Sequence, residues 1–294
     1  MKKNSSNHHG ILALLTATFF FSLNTLFNRF VPVEIGTFFQ LFLRTTLMSV
    51  LFLLVGLILK DFSSVKGKDW PLFITRGLLV AGDFALFFIA VNQLPLATTL
   101  FLFYAGSIIT NYLYGLCVLK EKLTKQTVGG LLLALCGLVF IYSDGLSSLA
   151  QDASIFAVAS GVFFGLMTAT SKNLSIRYSV TQINIIAYIT AALAAIPLMS
   201  FQQEQFRLLL PNQTWILFGG FALTTFIAFY AVIYGYKYVE AQKASLVLLT
   251  EILFIVLFGF LFFQEIPTMH TFIGGICILF ALVLPNISLP KKNN

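Results

Sequence analysis

Charge is what this sequence has least of. Of its 294 residues only 10% are Asp, Glu, Lys or Arg, whereas 58% are hydrophobic and 33 are Phe. Soluble domains carry roughly 25% charged residues. With a mean hydropathy of +0.91, the chain has too little polar surface to cover a water-soluble globule, so it is read as an all-α integral membrane protein. Cysteine is nearly absent too. Cys117, Cys136 and Cys277 have spacings that suit neither a metal site nor a disulfide framework, and their apolar surroundings make them small packing residues. His8 and His9 stand in a polar N-terminal stretch, His270 stands at the edge of the last apolar run, and no His lies deeper among the runs. No G-x-x-x-x-G-K-[ST] loop occurs, and the polar loops are too short for a nucleotide domain, which excludes a built-in ATPase. No small-residue cleavage site follows the apolar run from Ile11, so that run is taken as an uncleaved first span.

What is present is a series of long apolar segments. A spanning helix needs about 20 mostly apolar residues, and ten segments qualify, at 11–30, 36–59, 71–92, 95–118, 126–143, 153–172, 180–201, 213–236, 241–263 and 268–286. Pro32, Lys66-Gly67-Lys68, Pro95, the KEKLTK run from Lys120, Ser143-Asp144-Gly145, Pro211-Asn212 and Pro267 separate them. The apolar runs are continuous rather than alternating, which selects helices over a β-barrel. With the N-terminus in the cytoplasm, fourteen Lys and Arg fall on that side; Arg29 and Arg207 fall outside, and Arg44 and Arg76 lie within spans. Glu34, Asp144, Asp152, Glu204 and Glu265 lean outward. This positive-inside bias places both termini, the tails 1–10 and 287–294, in the cytoplasm of a cell's inner or plasma membrane. It also accounts for the net charge of +7 without any nucleic-acid partner.

The chain repeats itself. At a fixed offset of 144, Ala97 falls on Ala241, Glu121 on Glu265, Thr124 on Thr268, Thr127 on Thr271 and Gly130 on Gly274. Five spans per unit is an odd number, so the second unit (153–286) enters the membrane upside down relative to the first (11–143). Such inverted repeats are the architecture of many secondary transporters, with the solute held near the midplane. A helix rich in small residues, then an apolar helix ending in E-x-x-T and followed by G-G, twice within ten spans, resembles the EamA-type transporters of the drug/metabolite transporter superfamily. Phe42-Leu43-Arg44 resembles that family's Phe/Arg signature in the second span. The resemblance covers about 11–286 and implies a carrier of small metabolites or drugs, often outward. Family members often carry a proline midway along the fourth and ninth spans, where this chain has Ser107-Ile108 and Ile252.

Arg44, Arg76, Asp83 and Glu251 lie within apolar spans and sum to zero. Facing lipid at mid-helix, each would cost roughly 2.5–3.5 kcal/mol, on the order of 10 kcal/mol together. They are therefore expected to face the bundle interior, either as a structural Arg–carboxylate lock or as groups that bind solute charge and carry a proton. Arg76 and Asp83 share a helical face about 10 Å apart along the axis, too far for a direct pair, and Arg76 is near enough to a helix end to snorkel. Burial favours the protonated form of a carboxyl, which makes Asp83 and Glu251 the candidate coupling groups. Asn24 and Asn28 in the first span, Tyr104, Ser107 and Asn111 in the fourth, Asn184 and Tyr188 in the seventh, and Tyr230 and Tyr234 in the eighth are either interhelical glue or the lining of a central polar chamber. Tyr236 and Tyr238 are assigned to the membrane-interface belt. Gly161 and Gly165 form a G-x-x-x-G suited to close helix packing, within the bundle or between protomers. Gly129-Gly130 and Gly274-Gly275 suggest close packing where the repeats meet. Glu121 and Glu265 look like N-terminal caps of the fifth and tenth spans.

The expected protein is a secondary transporter or exchanger of a small polar organic solute, by alternating access. It works without cofactor or metal, as a monomer or homodimer in the lipid bilayer, with possible proton coupling. Buried charge of both signs suits an amino acid or its derivative. The alternatives are proton-coupled efflux of lipophilic cations, which needs a carboxylate and aromatic walls, a channel, and an intramembrane enzyme, for which no paired-Asp motif or His–metal set is present.

Overall fold

A computed structural model describes residues 2–30, 35–94, 96–143, 152–206 and 211–286, apart from the side chains of 2–6, 25, 26 and 28–30. The expected tail 287–294, the breaks at Pro32, Pro95 and Asp144-Gly145, and the side chains of Arg29, Glu34 and Arg207 lie outside that description. The described residues contain helices and no strands. These are α1 (Lys2–Phe30), α2 (Thr37–Leu59), α3 (Trp70–Gln93), α4 (Leu96–Cys117), α5 (Lys125–Ile141), α6 (Ser154–Ser175), α7 (Val180–Phe201), α8 (Asn212–Tyr238), α9 (Ala241–Leu248), α10 (Thr250–Phe263) and α11 (Met269–Val283).

Among the described residues, seven stretches are long and apolar enough to cross a membrane: α2, α3 with the turn before it, α4, α6, α7, α8, and α9 joined to α10. The chain is a multi-pass membrane protein. Helices α5 and α11 are apolar but shorter, at 17 and 15 residues. The first helix begins at Lys2 rather than near Ile11, so residues 2–10 are helical and not a free tail. They are held there because α1 runs along α8, with Gly10 seated against Val239 and Tyr238.

Packing joins the two halves of the chain rather than building two separate bundles. Helix α1 lies on α8, α2 on α7, α3 on α6 and α7, α4 on α6, and α5 on α11. The G-x-x-x-G works inside the molecule, where α6 crosses α4. A side chain at Gly161 would run into the Phe103 carbonyl, and one at Gly165 would stand 2.8 Å from the Ser107 oxygen. Where α5 meets α11, Gly137 and Gly274 face each other's carbonyls. Cys117 and Cys136 are exposed and Cys277 is half-buried. Cys136 and Cys277 meet on the outer side of this helix pair.

The turns at the ends of α4 and α10 have the same construction at the offset of 144. Lys120 and Gln264 are both left-handed, at φ 55° and 57°. The Glu121 amide donates to the Gly115 carbonyl at 2.8 Å, and the Glu265 amide to that of Gly259 at 3.1 Å. Thr124 and Thr268 then cap α5 and α11 by accepting from the amides of Thr127 (3.1 Å) and Thr271 (3.2 Å). The threonines do the capping that had been assigned to the glutamates. Glu121 instead reaches across to the start of α9, accepting from the amides of Ala241 at 2.8 Å and Gln242 at 3.3 Å. Its carboxylate also receives Lys172 of α6 at 2.7 Å. A helix start carries partial positive charge, so a carboxylate from the other half is a favourable cap. Two further loops do likewise. Glu204, after α7, accepts from the amides of Phe38 (3.2 Å) and Phe39 (2.7 Å) at the start of α2. Asp61, after α2, accepts from the Thr181 hydroxyl at 2.5 Å, at the start of α7.

The ninth span breaks without proline. Helix α9 ends at Leu248 and α10 starts at Thr250, whose hydroxyl donates to the Val247 carbonyl at 2.8 Å. A hydroxyl bonded back onto the preceding turn bends a helix, and Glu251 follows in the first turn of α10.

Candidate functional site

The charged residues within the helices are pulled inside, as their cost in lipid requires. Arg76 is 1% exposed, Arg44 3% and Asp83 8%, while Glu251 is partly buried. No lock forms: among the described residues, none of the four is ion-paired with another. Each has neutral neighbours in its own cluster, although Arg44 is only partly satisfied by them.

Arg76 does not snorkel. From α3 its Nε donates to the Ser171 hydroxyl of α6 at 3.1 Å, its Nη1 to the Ile183 carbonyl at 3.5 Å and its Nη2 to the Asn184 side-chain oxygen of α7 at 3.2 Å. Two turns along α3, Asp83 accepts from the Ser160 hydroxyl of α6 at 2.7 Å. Tyr188, one turn beyond Asn184, lies within electrostatic reach of both Arg76 and Asp83. The Asn184 amide nitrogen and the Tyr188 hydroxyl are buried without a hydrogen-bond partner. These two donors remain available beside a guanidinium and a carboxyl.

Arg44 of α2 stands apart, toward the end of the bundle where Glu204 caps α2. Its guanidinium carbon is 4.2 Å from the ring centre of Phe221, 5.7 Å from Phe218 and 5.8 Å from Phe88. Each desolvated cation–π contact is worth up to about 2 kcal/mol. Nη2 donates to the Gln40 side-chain oxygen at 3.0 Å, and Nε has no partner.

Glu251 lies within electrostatic range of Tyr104 of α4 and of Tyr142. Asn111 of α4 ties three helices. Its amide donates to the Ser107 carbonyl (3.0 Å) and to the Thr168 hydroxyl of α6 (3.3 Å), and its oxygen accepts from Tyr236 of α8 at 2.9 Å. Tyr236 is therefore fully buried and is not a membrane-interface residue, whereas Tyr238 is 38% exposed. Asn24 of α1 accepts from the Thr224 hydroxyl of α8. Asn28 lies outside the described side chains. Tyr230 and Tyr234 line a cavity of about 520 Å³ between α1, α2 and α8, together with Ala13, Thr16, Val55 and Leu59.

The structure thus distributes the expected polar lining over separate clusters. A run of touching rings joins two of them. Tyr188 packs on Phe229 (5.8 Å), Phe229 on Phe21 (5.0 Å), Phe21 on Phe164 (6.4 Å), Phe164 on Phe103 (5.2 Å) and Phe103 on Tyr104 (5.2 Å). The chain of rings crosses the bundle from the Arg76–Asp83 cluster to Glu251.

The partners that the sequence reading missed are hydroxyls: Ser160, Thr168, Ser171, Thr224 and Thr250. Three of them had a signal. Ser160, Thr168 and Ser171, continued by Ser175, share one face of the sixth span, and all four are at most 3% exposed.

The sequence matches the EamA-like transporter family twice, over residues 8–143 and 152–287. It is 24% identical over 287 residues to the pseudopaline exporter CntI of Pseudomonas aeruginosa, covering 96% of this chain and 97% of that protein. An uncharacterized membrane protein of Saccharomyces cerevisiae, YMR253C, is 22% identical over 282 residues, 88% of this chain and 64% of that one. A protein of known crystal structure shares the fold, with a TM-score of 0.78 at 19% identity, over 96% of this chain and 97% of that one.

Proposed function

The chain belongs to the EamA-like transporter family, and we propose that it is a secondary transporter of a small, charged organic metabolite, best matched by an amino acid or amino-acid derivative. It works by alternating access between two inverted five-helix units, 11–143 and 153–286, ten spans in all, with both termini in the cytoplasm of the cell membrane. The duplicated turns at Glu121 and Glu265, and the packing of one half's helices on the other's, support the inverted arrangement. The solute class rests on one observation: groups of both signs, three buried and Glu251 partly buried, netting zero, none neutralised by another among the described residues. A solute carrying both an acidic and a basic group complements them.

Asp83 and Glu251 are the coupling candidates in this reading. The orphan donors of Asn184 and Tyr188 beside Arg76, and the aromatic run toward Tyr104, are the surfaces that the solute meets as the halves rock. The relative named as an exporter supports outward movement. Counterflow in proteoliposomes, screened with labelled amino acids and their derivatives, tests this. Uptake is expected for at least one zwitterionic solute, with Asp83→Asn or Glu251→Gln slowing proton-driven efflux at least tenfold while counterflow survives. No signal from any amino acid, together with efflux of lipophilic cations that depends on Glu251, would replace this reading with the drug-efflux alternative.

A further inference from the structure

The two buried guanidinium groups are not equivalent. Arg76 spends all three of its nitrogens on protein acceptors. Arg44, equally withdrawn from water, makes a single hydrogen bond among the described residues, to a Gln40 oxygen whose own amide is pinned to the Ile35 carbonyl at 2.9 Å. Its Nε is buried and unpartnered, and no carboxylate of the described residues lies within ion-pair distance. Phe221, Phe218 and Phe88 surround it with π faces, which steady a cation without filling its in-plane N–H donors. A guanidinium presents those donors as a fork that matches a carboxylate.

The repeat makes the same point independently. At the offset of 144, Gln40 corresponds to Asn184 and Arg44 to Tyr188. In the second half that location is plugged by the chain's own Arg76, bonded to Asn184. In the first half the cation sits on α2 itself and no carboxylate among the described residues answers it.

We propose that Arg44, with the aromatic walls of Phe88, Phe218 and Phe221, is a binding site for an organic carboxylate and takes the acidic end of the transported solute. The site rests on the reading of the protein as a carrier of small charged metabolites. Three apolar ring walls disfavour a strongly hydrated dianion, so inorganic phosphate is a poor occupant.

Fluorine NMR on the purified full-length protein tests the site directly, with 4-fluorobenzoate as probe and 4-fluorobenzamide as its uncharged control. The wild type is expected to bind the acid at least tenfold more tightly than the amide. Arg44→Gln should abolish that preference, and Phe221→Leu should weaken acid binding with the charge retained. Arg44→Lys serves if the Gln variant does not fold: it keeps the charge but loses the fork, and the preference should fall several-fold. Equal binding of acid and amide by the wild type, a preference unchanged in folded Arg44→Gln or Arg44→Lys, or displacement of the probe by equimolar phosphate would overturn the proposal. Counterflow of amino acids alongside an Arg44-independent probe rejects the site and leaves the transport reading standing. Arg44-dependent acid binding with no counterflow of any solute does the reverse.

Discussion

At the scale of single residues, Asn111 shows what a buried amide does in this bundle. It holds α4, α6 and α8 through three hydrogen bonds. Hydrogen bonds between membrane helices average about 0.6 kcal/mol, but leaving a buried donor unmade costs about 1–3 kcal/mol. Asn111→Leu should therefore cost about 1–3 kcal/mol of stability in detergent. Pairing it with Tyr236→Phe should give a total below the sum of the two single losses, by about 0.6 kcal/mol; strict additivity in a thermal-unfolding cycle would mean that the contact carries no energy. The candidate charges were legible for a simple reason, since an Asp or Arg inside an apolar run stands out whatever its partners. The partners were not, because a Ser or Thr hydroxyl is at ease in any helix by bonding the carbonyl one turn back, as Thr168 does with Phe164 and Ser171 with Met167. Nothing in their local sequence says that Ser171 is also promised to Arg76. Arg76 misled for a related reason: its nearness to a helix end allows an exit to water, but a partner for each of its nitrogens inside makes the exit unnecessary.

At the scale of helices, hydrophobic length located the segments and turn residues located most of their ends. What it left open is which group closes which end. Thr124 and Thr268 cap their own helices, a contact local in sequence that the assignment of these caps to Glu121 and Glu265 passed over. Glu121 caps a helix that starts 120 residues later, and only tertiary structure reveals that. The two kinds of cap should respond differently. Thr124→Ala is expected to cost about 1 kcal/mol, measured by thermal unfolding, and to leave transport kinetics alone. Glu121→Gln removes a charged cap and strands Lys172, whose other acceptor is the Val239 carbonyl at 2.9 Å. It should loosen the start of α9 and raise amide hydrogen exchange over 241–245 at least tenfold, with little change over α5. Exchange rising equally in both helices would show Glu121 to be a local cap after all.

At the scale of the whole molecule, the fixed offset of 144 carried the most information, because it marked two turns that the structure builds alike. The pairing of α1 with α8 and of α4 with α6 was not legible, since hydropathy identifies helices but not their neighbours. The proposed inverted arrangement makes a sharp prediction at two equivalent loop positions, Lys122 and Ile266, both exposed. In a background with Cys117, Cys136 and Cys277 replaced, a cysteine at Lys122 should react with an impermeant maleimide only from the cytoplasmic side and one at Ile266 only from outside. Labelling of both from one side would end the inverted reading. The crossed carboxylates have a biogenetic consequence. Glu204 completes the start of α2 only after α7 has been synthesised, 165 residues beyond Phe39, and Asp61 waits 120 residues for Thr181. The amino-terminal portion, although threaded into the bilayer first, thus leaves the ribosome with raw ends and matures only once the carboxy-terminal portion arrives to dress them.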